Sequence, residues 1–317
     1  MQQTPILTVT LNPAIDISTS TVHVVAGPKL RCTGPETDPG GGGINVSRTI
    51  RILGGQSTAL VALGGATGER LAGMLIRSGL TLAGFDAPGE TRESFSVMDG
   101  TTHAQYRFVL PGTRWPKSAT AAALDAVERA AATGCFVVLS GSQPPGVEDD
   151  FPVRLSKRLA PKKVRMILDT SGAPLIRVAE GRDADLFVLR MNHDEAAELA
   201  GGPLTTRRES ADFAQGLVQA GVAEIVIVAR GSEGNVLATA TNRLFASAYE
   251  VPVKSRVGAG DCFVGAFTLS LARGEDMAMA LKWGTATASA AVMTPGTRLC
   301  TLSDVKRLMR GETISHL

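Results

Sequence analysis

Six short apolar runs recur along the 317-residue chain, and each stops at a polar or glycine-rich turn. They are Ile6 to Leu11, Thr58 to Leu63, Cys135 to Leu139, Val164 to Leu168, Leu186 to Leu189 and Glu224 to Val228. Runs of this length, rich in Val, Ile and Leu, read as strands buried on both faces. Helical patterns stand between several of them, at Ile44 to Leu53, Gly68 to Ser78, Ala121 to Ala131 and the stretch carrying Glu195 and Glu198. Such alternation predicts an α/β fold, a doubly wound and mainly parallel sheet with helices on both faces. Val236 to Ala238 reads as the start of a return strand. No fixed-period repeat or linker divides the chain, so one domain over residues 1–317 is expected.

In a sheet of this kind ligands gather at the carboxyl ends of the strands. Asp16 follows the first run. Ser140-Gly141-Ser142, Asp169-Thr170-Ser171-Gly172, Arg190-Met191-Asn192 and Ala229-Arg230-Gly231, with Gly234 beyond, follow four others. Two glycine-rich elements also open helices. Gly40 to Gly43 precede Ile44-Asn45-Val46-Ser47-Arg48, and four consecutive glycines cost backbone entropy unless something must approach closely. Neither a Walker loop nor a dinucleotide fingerprint fits that spacing.

The second element is Arg256-Val257-Gly258-Ala259-Gly260-Asp261-Cys262-Phe263. The first amides of a helix lack intrahelical partners and sit at its positive end, so this bend can hold an anion. Asp261 reads either as a helix cap or as a general base that takes a proton from an attacking hydroxyl. The local pattern does not separate the two. The clustering of polar groups at strand ends favours the base.

Phe95 and Val97, then Tyr106, Phe108 and Leu110, alternate with polar residues around Asp99-Gly100, which is a hairpin signature. Arg92 and Arg107 ride on it. They read as solvated surface arginines or as bidentate partners for a sugar-phosphate dianion. A net charge of +2 argues against a nucleic-acid or membrane-surface partner. Cys32, Cys135, Cys262 and Cys300 lack zinc spacing and read as reduced thiols in a cytoplasmic protein. Met1 to Pro13 lacks the features of a signal peptide, and no apolar run is long enough to span a membrane. His23, His103, His193 and His316 read as surface or packing residues without convincing partners, and Trp283 as core.

With Gly40 to Arg48 and Val257 to Phe263 matching two signatures, the sequence resembles the PfkB/ribokinase family of carbohydrate kinases. The likeness runs from about Leu7 to Cys300. Leu30-Arg31-Cys32, Pro39 to Val46, Gln105 to Val109, Ser140 to Ser142 with Pro144 to Val147, and Gly296 to Cys300 look like its 6-phosphofructokinase subgroup. The resemblance implies a ribokinase-like fold with a small β-sheet lid formed by segments about 16–38 and 90–111, and a homodimer paired through it. It also implies ATP-dependent phosphorylation of fructose 6-phosphate to fructose 1,6-bisphosphate. Tagatose 6-phosphate and fructose 1-phosphate are alternative acceptors, and a catalytically impaired sugar-phosphate-binding regulator is the alternative from another class.

Residue by residue, the resemblance makes Asp261 the base and the backbone of Gly258, Ala259 and Gly260 the anion hole. It gives Asp16, Gly41, Gly42 and Asn45 to the sugar hydroxyls, and Lys29, Arg92, Arg107 and Ser142 to the sugar phosphate. Asn192 and Glu195 would position Mg²⁺ largely through water, and Gly231 and Gly234 would shape the nucleotide loop. Ser255, Val257, Ala291, Gly296 and Arg298 would offer carbonyls to K⁺. Departures from the family pattern fall at Arg190-Met191, Ala229-Arg230, Arg256 and Thr294. All are expected on the nucleotide side, with Arg190 and Arg230 compensating there for the hydroxyl missing at Ala229.

Overall fold

The computed structural model describes residues 3–311 and 314–317, so Met1 and Gln2 of the N-terminal reading lie outside the described residues. β1 (Ile6–Thr10) leads into β2 (Ala14–Thr21) and, across an exposed loop, β3 (Glu36–Gly40), which feeds α1 (Gly42–Ile52). Next come β4 (Thr58–Leu63), α2 (Gly65–Arg77) and β5 (Thr81–Asp86), then the hairpin of β6 (Arg92–Asp99) and β7 (Gln105–Val109). The chain continues as α3 (Lys117–Ala130), β8 (Phe136–Ser140), α4 (Phe151–Leu159), β9 (Arg165–Asp169) and α5 (Ala173–Gly181). It follows with β10 (Val188–Asn192), α6 (His193–Ala200), α7 (Arg207–Gln219), β11 (Ile225–Ala229), β12 (Gly234–Ala238) and β13 (Arg243–Ser247). α8 (Ala259–Ala272), α9 (Met277–Ala291), α10 (Leu302–Leu308) and β14 (Ile314–His316) complete it.

The large sheet has the order β14-β13-β12-β11-β10-β9-β8-β1-β4-β5. It is parallel from β11 to β5 and antiparallel from β12 to β14. The strand alternation sorts side chains between two cores. Val137 and Leu139 face the cluster shared with α3 to α7, whereas Phe136 and Val138 face the one shared with α1, α8, α9 and α10. α8 lies so deep that ten of its residues are buried, which is why its sequence is apolar all round. Trp283 is only partly buried and packs against that second cluster.

A smaller sheet, β3-β2-β6-β7, stands apart. It is built from the two segments expected to form a lid, with β2 and β6 parallel and the outer pairs antiparallel. Three expectations are corrected. β5 was not expected, because it is an edge strand without a continuous buried face and carries Ala83-Gly84. The strand expected to end at Leu189 starts later and runs through Arg190 and Met191 to Asn192. His23 is not partnerless: its Nδ1 lies 2.8 Å from Asp99 Oδ2. Asp99 is fully buried and also accepts from the amides of Val24, Thr101 and Thr102, tying the loop after β2 to the hairpin tip.

Candidate active site

β1 has β8 on one side and β4 on the other, so strand order reverses there and a crevice opens at the strand ends. The small sheet covers it, enclosing a cavity of about 370 Å³. Asp16, Gly41, Gly42, Asn45, Arg92, Arg107, Gly258 and Asp261 all line this space. The expected sugar and base residues are thus brought together from sites more than 240 positions apart.

The glycines have steric reasons. A Cβ on Gly42 would stand 2.3 Å from Ser140 Oγ, so the start of α1 touches the end of β8. Gly258 caps α8 with φ +75°, a left-handed conformation that suits glycine. A Cβ on Gly260 would meet Arg190 Nη1 at 2.9 Å.

Asp261 lies in the first turn of α8 without capping that helix through its side chain. Asn45 Nδ2 donates to its Oδ2 at 2.9 Å, and Ser140 Oγ donates to its Oδ1 at 3.4 Å. Burial and the neighbouring Asp169 push its carboxyl up to about 7, against the pull of Asn45, Arg190 and Ser140. A carboxylate poised there can take a proton near neutral pH. Asp16 is also raised, first by burial, with Arg92 and Arg107 opposing.

Sequence reasoning missed Ser140 and Asp169 as site residues. Ser140 Oγ reaches Asp169 Oδ2 at 3.3 Å, and Asp169 Oδ1 accepts from Arg190 Nη1 at 3.0 Å. The only signal was that each ends a parallel strand, where they sit side by side in register. Arg190 therefore lies against Gly260, held by Asp169.

Arg256 lines the same cavity as Arg92 and Arg107. Arg230 is 7% exposed and donates to the carbonyls of Leu204, Thr205 and Thr206, to Ser210 Oγ and to Glu233, so its fork is committed to the fold. Ser142 is exposed outside the cavity lining, linked to Asn12 Nδ2 at 3.3 Å, while Asn12 O accepts from Arg92. Lys29 is exposed on the loop between β2 and β3 and does not line the cavity.

Asn192 and Glu195 form a capping box on α6: Asn192 Oδ1 accepts from the Glu195 amide, and Glu195 Oε2 from the Asn192 amide. Burial raises the Glu195 carboxyl. Among the described residues no group of three or more His, Cys, Asp or Glu could hold a metal ion. Gly231 opens a short 3₁₀ turn after β11 with φ +58°, next to Ala229. Gly234 is buried, and a Cβ there would strike Ala246 O. The loop between α9 and α10 gathers carbonyls. Ser255 Oγ donates to Gly296 O at 2.7 Å, and Thr294 Oγ1 lies on the carbonyls of Ala291 and Arg298.

Comparison with known proteins matches residues 9–304 to the pfkB family carbohydrate kinase model. The chain is 41% identical over 304 residues to ATP-dependent 6-phosphofructokinase isozyme 2 of Mycobacterium tuberculosis, covering 95% of this chain and 88% of that one. It is 35% identical over 303 residues to the protein of the same name from Escherichia coli, covering 96% and 97%. The crystal structure of Escherichia coli phosphofructokinase-2 in complex with potassium superposes with a TM-score of 0.91 at 34% identity, covering 97% of this chain and 98% of that one. With both glycine elements in one cavity and the match running through nearly the whole sequence, the chain belongs to the pfkB family of carbohydrate kinases.

Proposed function

We propose that this kinase is an ATP-dependent 6-phosphofructokinase, moving a phosphoryl group from ATP to the 1-hydroxyl of fructose 6-phosphate. One observation carries the reading. A carboxylate raised to about 7 stands at a helix N-terminus in a cavity that also holds Arg92 and Arg107. The names of the relatives at 41% and 35% identity support it.

Asp261 takes the proton of the attacking hydroxyl, while the backbone from Gly258 to Gly260 meets the charge on the transferring phosphoryl group. Asn45 fixes the rotamer of Asp261, and the Asp169–Arg190 pair beneath it sets its basicity. Asp16, Gly41 and Gly42 hold the sugar hydroxyls, and Arg92 and Arg107 clamp the 6-phosphate. Arg256 adds a third guanidinium to that wall.

Mg²⁺ supplies charge neutralisation on the nucleotide phosphates. The Asn192–Glu195 pair fits it through water, because the capping box uses only Oε2 of the Glu195 carboxylate and magnesium keeps several of its waters. Neutral carbonyls at Ala291, Gly296 and Arg298, with Ser255 and Val257 nearby, suit K⁺. The nucleotide lies along the end of β11, beside Ala229 and Gly231. Phe95, Tyr106, Phe108 and Leu110 are exposed on the small sheet and provide an apolar face for a second copy. Lys29, which does not line this chain's cavity, then serves the partner.

The test is coupled ADP release with fructose 6-phosphate, fructose 1-phosphate, tagatose 6-phosphate and unphosphorylated sugars, with Mg²⁺ and with or without K⁺. Fructose 6-phosphate is expected to give the highest kcat/KM. Preference for another sugar overturns the substrate, and sugar binding without ADP release overturns the kinase reading in favour of a regulator.

A further inference from the structure

A second open groove of about 440 Å³ is lined by residues of β3, α1 and α2. Its floor and walls carry Arg48, Arg70 and Arg77, against a single lining carboxylate, Asp38. Arg70, Met74 and Arg77 follow one face of α2 at i, i+4 and i+7 spacing. Gly73 lies under the Arg77 side chain, which folds back along the helix toward Arg70; a Cβ there would meet Arg77 Nη1 at 3.1 Å.

These guanidiniums are incompletely used. Among the described residues Arg77 has no ion-pair partner, and Arg70 has only Glu93 at 3.6 Å, with both members exposed or partly so. Arg48 is the inner wall. It donates to Pro39 O at 3.2 Å and Asn45 Oδ1 at 3.3 Å, and stands 3.6 Å from Asp38. β3 is the edge strand of its sheet, so it also offers the groove backbone groups without a strand partner.

Two of these contacts lead into the catalytic cavity. Because Arg48 holds Asn45 Oδ1, the Asn45 amide presents Nδ2 to Asp261. Asp38 in turn accepts from Thr297 Oγ1 at 2.7 Å, and Thr297 lines the cavity. An anion that draws Arg48 outward takes away the group that orients Asn45.

We propose that this groove binds an anion carrying two phosphate groups, and that its occupation lowers turnover through Arg48 and Asn45. Two phosphates are called for because three guanidiniums, from Arg48, Arg70 and the folded-back Arg77, face one groove against a single carboxylate, more donors than one phosphate engages. Only the coupling to turnover rests on Asp261 acting as the base. The binding does not depend on which sugar is phosphorylated.

Pyrophosphate titrated calorimetrically into the full-length protein is the direct probe, with inorganic phosphate as the single-phosphate comparison. Pyrophosphate is expected to bind at a site whose Kd rises at least ~10-fold in Arg70→Gln/Arg77→Gln, and inorganic phosphate to bind at least ~10-fold more weakly than pyrophosphate. Ser78→Glu, which places a carboxylate at the groove rim, should weaken the same site. In the wild type pyrophosphate should lower kcat in a way that saturating sugar phosphate and nucleotide do not reverse. The double variant should keep its basal kcat and KM and lose that inhibition. Binding unchanged in both variants, or equal binding of the two probes, overturns the site. Binding lost in the variants without any change in kcat on wild-type saturation overturns the coupling. A chain that proved inactive on every sugar would still yield the binding result.

Discussion

Asp169→Asn separates the basicity of Asp261 from its mere presence. Ser140 Oγ stands 3.3 Å from Asp169 and 3.4 Å from Asp261, so the two carboxylates lie within about 7 Å of each other. At an effective dielectric of about 20, two unit charges about 7 Å apart interact by about 2.4 kcal/mol, or about 1.7 pKa units. Asparagine removes that repulsion while keeping a carbonyl oxygen for Arg190. Arg190, which lowers the Asp261 pKa, stays in place. The acid limb of kcat/KM against pH reports the base of the free enzyme. In the wild type it should fall below about pH 7, where Asp261 takes up its proton. In Asp169→Asn it should move about 1 to 2 units toward acid. Measuring kcat/KM for the phosphorylated sugar from pH 5 to 9 in both proteins, with the coupling enzymes in excess, gives the shift. A limb that stays put or moves upward would refute the electrostatic link between the strand-end acid and the base. Arg190→Met should move the limb the other way.

Asp261→Asn should lower kcat at least ~10²-fold, as expected for loss of a general base. It should also raise thermal stability increasingly between pH 5 and pH 8. The native carboxyl holds its proton up to about 7 and the unfolded one only to 3.8, so the native fold loses stability as pH rises through that window and asparagine escapes the loss. The gain at pH 8 should be roughly 2 to 4 kcal/mol by differential calorimetry, and an equal Tm at both pH values would count against it. Arg107→Gln should raise KM for the sugar phosphate at least ~10-fold with kcat within ~3-fold, the pattern of lost ground-state binding. Steady-state kinetics decides, and an unchanged KM removes Arg107 from the phosphate clamp. Arg230→Lys should cost roughly 2 to 4 kcal/mol of stability in urea unfolding, through the buried carbonyls and hydroxyl left short of donors, with nucleotide KM unchanged. A raised nucleotide KM at full stability would return Arg230 to the phosphates.

The large sheet was legible because its central strands are buried on both faces, which leaves runs such as Thr58–Leu63 with little else to be. β5 and β14 were not, since an edge strand needs no such run. Asp261 could be singled out because glycines flag it locally. Asp169 could not, because its meaning arises only when parallel register sets it beside Ser140 and Arg190, far away along the chain. Arg230 shows the opposite failure: an arginine beside a glycine turn looks like a phosphate ligand until its fork is found filled by backbone carbonyls. A guanidinium's sequence position says nothing of whether its donors are free.

The proposed base and the proposed phosphate-binding arginines sit on elements of very different constraint. Asp261 rides on α8, a helix enclosed on nearly every side, whereas Arg107 rides on β7, whose five residues are all exposed. Substitutions around α8 are therefore tested first by whether the chain folds, and those along β7 only by what the cavity accepts. Descendants of such a chain can exchange one acceptor for another by small surface changes, while the chemical step is inherited intact. The diversity of substrates open to this scaffold is in that sense written into where its buried and exposed strands and helices fall.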